Sequence, residues 1–193
     1  MAEKRSLQKA QTKEKIIAAA LKVYSEYGFF APTTLIANEA QVSHGSIFVH
    51  FPNVEALLLC LLERFSEDMV AELHLLSESG KNTAKLLGMH IDALIKHEDF
   101  YRRLVTEAVY LPEEAKNTFI AIQSTVSIHL MQALEHEIKA KKIKVLPYHL
   151  IFNTWLGLVH YYLLNGDMFA PGESVLTRYK SILVKHFLSL IKK

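Results

Sequence analysis

Apolar residues recur along this chain at the spacing of helices and nowhere with the sustained alternation of strands. Ile16, Ile17, Ala20, Leu21 and Tyr24 fall at i, i+1, i+4, i+5 and i+8 and make one stripe. Gly28 follows the last of them, where a left-handed C-cap costs glycine nothing. A short loop containing Pro32 leads to Thr33 and Thr34, either of which suits the cap of a brief helix over about 34–40. Gln41, Val42 and Ser43 then separate it from a second short helix over 44–51, with Ser43 as its N-cap. Pro52 and Asn53 punctuate again, and Asn53 caps a long helix carrying Leu57, Leu58, Leu61, Leu62, Phe65, Met69, Val70 and Leu73. A loop over 77–82 precedes helices predicted at about 83–96, 98–110, 113–141, 147–165 and 173–192. The last is amphipathic, with Val175, Tyr179, Ile182, Leu183, His186, Phe187 and Leu190 on one face. The expectation is an all-α protein of about nine helices, with a three-helix helix-turn-helix domain over 1–52 and a helical bundle over 53–193.

Composition supports a packed chain: half of the 193 residues are hydrophobic, with only 7 Gly and 5 Pro. The lone Cys60 excludes an intramolecular disulfide and, lying among leucines, reads as an inert core thiol. With a polar, charged N-terminus in place of a secretory apolar run, the expected compartment is the cytoplasm. Between Lys144 and Asp167 there is no Asp, Glu, Lys or Arg, a length that would span a bilayer. Pro147, His149, Asn153, Thr154, His160 and Asn165 are too many polar groups for hydrocarbon, so this segment reads as a helix buried between protein layers or subunits and not as a membrane anchor.

Charge adds a direction. The formal excess of +2 lies entirely within residues 1–51, and five of the six cations there precede residue 16. A basic arm of this kind attracts phosphate, although a solvated leader has the same composition. Three short helices joined by tight turns, the last of seven or eight residues, match the dimensions of a module that inserts one helix into the major groove. The first turn of that helix holds small or polar residues, Ser43, His44, Gly45 and Ser46, and the next supplies Phe48, Val49 and His50. An ordinary helical hairpin with a solvated surface would have the same spacing.

The ordered series Ile16-Ile17-x-Ala19-Ala20-Leu21-x-x-Tyr24-x-x-x-Gly28, followed by Ile36-Ala37-x-x-Ala40-x-Val42-Ser43-x-Gly45-x-Ile47-Phe48-x-His50-Phe51-x-x-x-Glu55-x-Leu57, resembles the tetracycline-repressor-like (TetR) family over about residues 12–60. The resemblance implies a dimeric regulator that binds a palindromic operator in double-stranded DNA and is released by a small, partly apolar effector. It places Ser43, His44 and Gly45 at the DNA surface, Phe48, Val49 and His50 against phosphates or base edges, and Thr33 or Thr34 on phosphate; Ser46 joins them by position. Four departures stand out. Gln41 occupies the turn position usually held by Gly, Phe48 replaces Tyr, Val54 replaces Lys, and the segment from Gly28 to Ile36 is one residue short. The basic arm and His44 are expected to make up the lost phosphate contacts.

For the rest of the chain the expectations are coarser. Trp155, Leu158, Tyr162, Leu183 and Phe187 are candidate anchors of a homodimer interface built from the last two long helices. Met89, His90, Tyr101, Tyr110, Phe119, Ile122, Val126, His129 and Tyr161, with Phe100 and Phe169, are candidate walls of an effector pocket. His90 with His97 and His129 with His136 lie two turns apart, too far for a helical metal chelate, so no metal is expected. No phosphate loop, nucleophile elbow or paired-carboxylate motif argues for a cofactor or an enzyme. Two rivals to a ligand-responsive repressor remain open: a DNA-binding protein acting only through protein partners, and an all-helical enzyme.

Overall fold

Why the chain folds as it does is clearest at its caps. In a computed structural model that describes residues 2–77 and 82–193, the helices are α1 (Ala2–Tyr27), α2 (Thr33–Ala40), α3 (His44–His50), α4 (Val54–Ser77), α5 (Thr83–Ile95), α6 (Glu98–Glu107), α7 (Glu113–Lys139), α8 (Tyr148–Leu164), α9 (Gly166–Phe169) and α10 (Val175–Ile191), with one 3-10 turn at Ala108–Tyr110. The α1 helix stops at Gly28, whose φ of 85° lets its N–H reach the Tyr24 carbonyl at 3.0 Å. Asn53 caps α4 by accepting the Ala56 N–H at 2.8 Å. Asn82 and Ser174 do the same for α5 and α10, accepting from Lys85 and Thr177 at 2.9 and 3.0 Å.

Two expectations need correction. Neither Thr33 nor Thr34 caps α2, which begins at Thr33 itself after Pro32, with no side-chain cap; proline's fixed φ already sets the entry. Among the described residues there are ten α-helices, because α9 forms a separate single turn where the sequence showed only a break at 165–172. The predicted loop over 77–82 falls mostly at 78–81, outside the described residues. Among the described residues there is no strand, only one antiparallel bridge between Ile143 and Lys192, and no single helix is long and apolar enough to cross a membrane.

The chain forms two compact units, each discontinuous in sequence: residues 1–64 with 99–119, and residues 65–98 with 120–193. In the first, α1 packs on α2 and α3. Ile16, Ile17, Ala20 and Tyr24 are buried, as are Ile36, Ala37 and Ala40 of α2 and Ile47 of α3. This core leaves the opposite faces of α2 and α3 to solvent.

In the second unit α10 packs on α5 and α8. At the centre the indole N–H of Trp155 donates to Nδ1 of His90 at 3.0 Å, and the indole lies 5.1 Å from the Phe187 ring. Trp155, Leu183 and Phe187 are all buried within the chain itself. They are core and not the subunit anchors expected from sequence, because α8 turns Ile151, Trp155, Leu156, Val159 and Leu163 inward. Leu158 is only half-buried, and Tyr162 stacks on Phe169 at 4.7 Å beside Tyr179 at 4.9 Å.

Burial holds His90 to about 3 and His160 to about 4, from an ordinary 6.5. Both imidazoles are thus neutral in the folded chain over a range where the unfolded chain binds protons. Stability is therefore complete above about pH 6.5 and falls as pH drops toward those folded values, by up to about 1.4 kcal/mol per pH unit per histidine. Urea denaturation at neutral and mildly acidic pH should show this loss, and His90→Gln should make it shallower; an unchanged acid slope in the variant would contradict the assignment.

Candidate nucleic-acid interface

The turn between α2 and α3 is set by hydrogen bonds that the sequence places well. Gln41 is left-handed (φ 56°, ψ 45°), its N–H bonds the Asn38 carbonyl at 3.1 Å, and the Val42 N–H bonds Ala37 at 3.0 Å. This is a Schellman closure with glutamine where glycine is the easier residue. Ser43 follows in extended conformation as the N-cap of α3. Its hydroxyl lies 2.7 Å from the Ser46 hydroxyl and makes no bond to the helix backbone.

Ile47 and Phe51 are buried and fix α3 to the first unit's core. The outward residues are those a groove would meet. His44 is exposed, with Nε2 2.7 Å from Thr33 Oγ1 and its ring edge-on to Phe48 at 5.3 Å. Thr33 therefore orients the first residue of α3 from the first residue of α2, and Thr34 is exposed beside it. A side chain at Gly45 would meet nothing within 4 Å, so internal packing does not demand the glycine. Phe48 and Val49 are 41% and 69% exposed, an apolar display that solvent alone does not reward. His50 is half-buried; burial first, and then the charges of Lys9 and Lys13, hold it below the ordinary imidazole value.

From Ala31 to Phe51 the single acidic residue is Glu39, paired with Lys22 at 2.7 Å. No unpaired carboxylate therefore opposes an anion on this surface. The end of α1 that supports it is held by residues sequence reasoning did not single out. Arg103 donates to the carbonyls of Ser25 (3.3 Å) and Glu26, and the Glu107 carboxylate accepts the Phe29 N–H at 2.8 Å. Phe29 lies 5.6 Å from both Tyr24 and Phe100. Phe100 is thus core of the first unit and not a pocket wall. No local pattern marks Arg103 or Glu107, which meet their partners across 77 or 78 residues of chain.

Residues 16–61 match the family described as bacterial regulatory proteins, tetR family. This segment of the chain belongs to that family. The chain is 31% identical over 121 residues to the HTH-type transcriptional regulator YerO of Bacillus subtilis, covering 58% of this chain and 42% of YerO. It is 29% identical over 126 residues to YuxN of the same organism, covering 61% and 43%. The matches span less than half the length of these relatives. The fold is also that of a tetR-family regulator from Agrobacterium tumefaciens, with a TM-score of 0.76 at 16% identity, covering 96% of this chain and all of that one. The regulator FadR from Bacillus subtilis in complex with stearoyl-CoA is similar at a TM-score of 0.70 and 20% identity, covering 91% and 97%.

The residues expected to line an effector pocket divide. Tyr101 and Phe119 are buried in the first unit, their rings 5.9 Å apart. In the second, His90, Ile122 and Val126 are buried, Met89, His129 and Phe169 half-buried. Tyr110 is 70% and Tyr161 57% exposed, so neither is a wall of an interior pocket: Tyr110 sits on the 3-10 turn with its ring against exposed Phe30, and Tyr161 on the outer face of α8. A separate groove of about 410 Å3 between α5 and α10 is lined by Ala84, Gly88, Thr177, Lys180, Ser181 and Val184, none of them predicted. Among the described residues no group of three or more His, Cys, Asp and Glu is placed to hold a metal ion.

Replacing Gln41 by Gly should raise stability by about 1 kcal/mol, since the left-handed conformation stays and its steric cost goes. Gly28→Ala should lose about as much or more, because its methyl group would overlap the Glu107 carboxylate at a φ that alanine avoids. Chemical denaturation of the two variants checks both signs.

Proposed function

We propose that this chain is a dimeric DNA-binding transcription regulator in which α3 enters the major groove, with a small molecule as the releasing signal. The observation that carries the reading is the outer face of α2 and α3. There Thr33, Thr34, Ser43, His44, Ser46, Phe48, Val49 and His50 surround an unobstructed Gly45, and the one nearby carboxylate is neutralised. Hydroxyls and His44 suit phosphate and base edges, while Phe48 and Val49 suit the methyl groups of thymine. The tetR-family match over the same residues supports it.

A seven-residue helix reads too few base pairs alone, so a second copy is part of the proposal. The residues suited to it are the exposed ones of α8 and its continuation, namely Leu150, Gly157, Tyr161, Leu164 and Met168, with Ile182 on α10. They follow a near-heptad spacing and carry no charge. For the effector, the similar fold of FadR, solved with stearoyl-CoA, favours a molecule with a substantial apolar part. Repression is the expected sign of control.

Selection of bound duplexes from a random library by the purified chain tests the reading. The expected motif is two-fold symmetric, with half-sites about 34–36 Å apart or a multiple of that. His44→Ala should weaken its binding by about 1–3 kcal/mol and relax one base position in each half-site. Leu164→Asp should shift the chain from dimer to monomer in sedimentation and abolish motif binding while leaving helicity intact. Recovery of no motif at low salt would refute the assignment.

A further inference from the structure

The inner face of α1 changes character along its length. Arg5, Lys9 and Lys13 are spaced four residues apart, and after a step of three the same face continues through Ile16, Ala20 and Tyr24. The last three are buried; the first three are exposed. One face of a single helix is therefore apolar where it covers α2 and α3, and cationic over the preceding turns. Lys9 and Lys13 stand beside the end of α3. The Lys13 ammonium lies 5.5 Å over the ring of Phe51, the residue that ends α3, and Lys9 and Lys13 both act electrostatically on His50, its last helical residue. Glu14, the acid next to Lys13, is taken up by Arg64 through two hydrogen bonds of 2.6 and 2.7 Å.

We propose that Arg5, Lys9 and Lys13 form a ridge that binds the sugar–phosphate backbone of the duplex flanking the groove entered by α3. The proposal rests on the DNA-reading assignment above and adds a second contact surface to it. Eight residues of helix separate Arg5 from Lys13, a span of about 12 Å. One DNA strand presents roughly three or four phosphates over that distance. Lysine ammonium groups meet such a row as point charges and the arginine guanidinium as a planar fork, and neither reads sequence in doing so. The ridge thus supplies the phosphate charge missing at Val54 and offsets the hydroxyl donor missing at Phe48.

The full chain, titrated with a short generic duplex between about 50 and 200 mM NaCl, tests this through the salt dependence of binding. Replacing Arg5, Lys9 and Lys13 together by Gln should reduce the log–log slope by about 0.9 per cation for each bound protomer. Preference among operator bases should be unchanged. Lys15→Gln, on another face of the same helix, should leave the slope alone, and Lys9→Arg with Lys13→Arg should retain it. All substituted side chains are exposed, and circular dichroism verifies that the variants keep the fold. If the wild-type chain binds duplex but the triple variant has the same slope, the ridge is wrong and the DNA reading stands. A loss in Lys15→Gln as large as in Lys9→Gln would also overturn it, since the charge would then act without position. A wild-type chain that ignores duplex and binds phosphatidylserine vesicles through these residues would overturn both proposals.

Discussion

Arg103 and Glu107 complete a helix to which they do not belong. The last turn of α1 leaves carbonyls without intrahelical partners, and the chain beyond Gly28 leaves a backbone N–H to satisfy. The guanidinium takes the carbonyls of Ser25 and Glu26, and the carboxylate takes the N–H of Phe29. Both come from one face of α6, four residues apart, and they pair with each other at 3.6 Å. Phe29 is held between Tyr24 and Phe100 by the same arrangement. Since α1 is the floor on which α2 and α3 pack, the direction in which α3 points depends on where α1 ends and how firmly. Gly28 is the hinge of that economy: only a residue without Cβ turns there and leaves room for the carboxylate.

What was legible in the sequence is what short-range physics decides. The stripe of α1, the cap at Asn53, the break at Gly28 and the three-residue turn all follow from neighbours within four positions. Even the unusual left-handed Gln41 was readable, because the turn leaves its backbone no other conformation and the residue there is simply not glycine. The contacts that decide inside from outside were not readable in the same way. Trp155 finds His90 across 65 residues, and Lys180 finds Asp92 across 88.

The misplacement of the interface anchors has a specific cause. Helix α8 has no charged residue on any side, so its pattern offers no solvent face to reason from. The placement of the uncharged polar residues was the overlooked signal. Ile151, Trp155, Leu156, Val159 and Leu163 fill one side, whereas the other mixes Leu150, Tyr161 and Leu164 with His149, Asn153, Thr154 and Gly157. The first set, uniformly apolar, suits a single chain's core; the second, mixed in polarity and size, suits a surface. Tyr161 was misassigned for the same reason, because an aromatic on an uncharged helix carries no mark of the side it occupies.

Trp155 is the chain's one tryptophan, and it sits at the centre of the second unit, hydrogen-bonded and shielded from water. Its emission consequently reports on that unit alone, while the first unit is spectroscopically represented by tyrosines such as Tyr24. Fluorescence thus follows one unit during unfolding, whereas far-ultraviolet dichroism follows the helices of both. Where their transitions coincide, the chain melts as one cooperative body; where they separate, no single midpoint describes it.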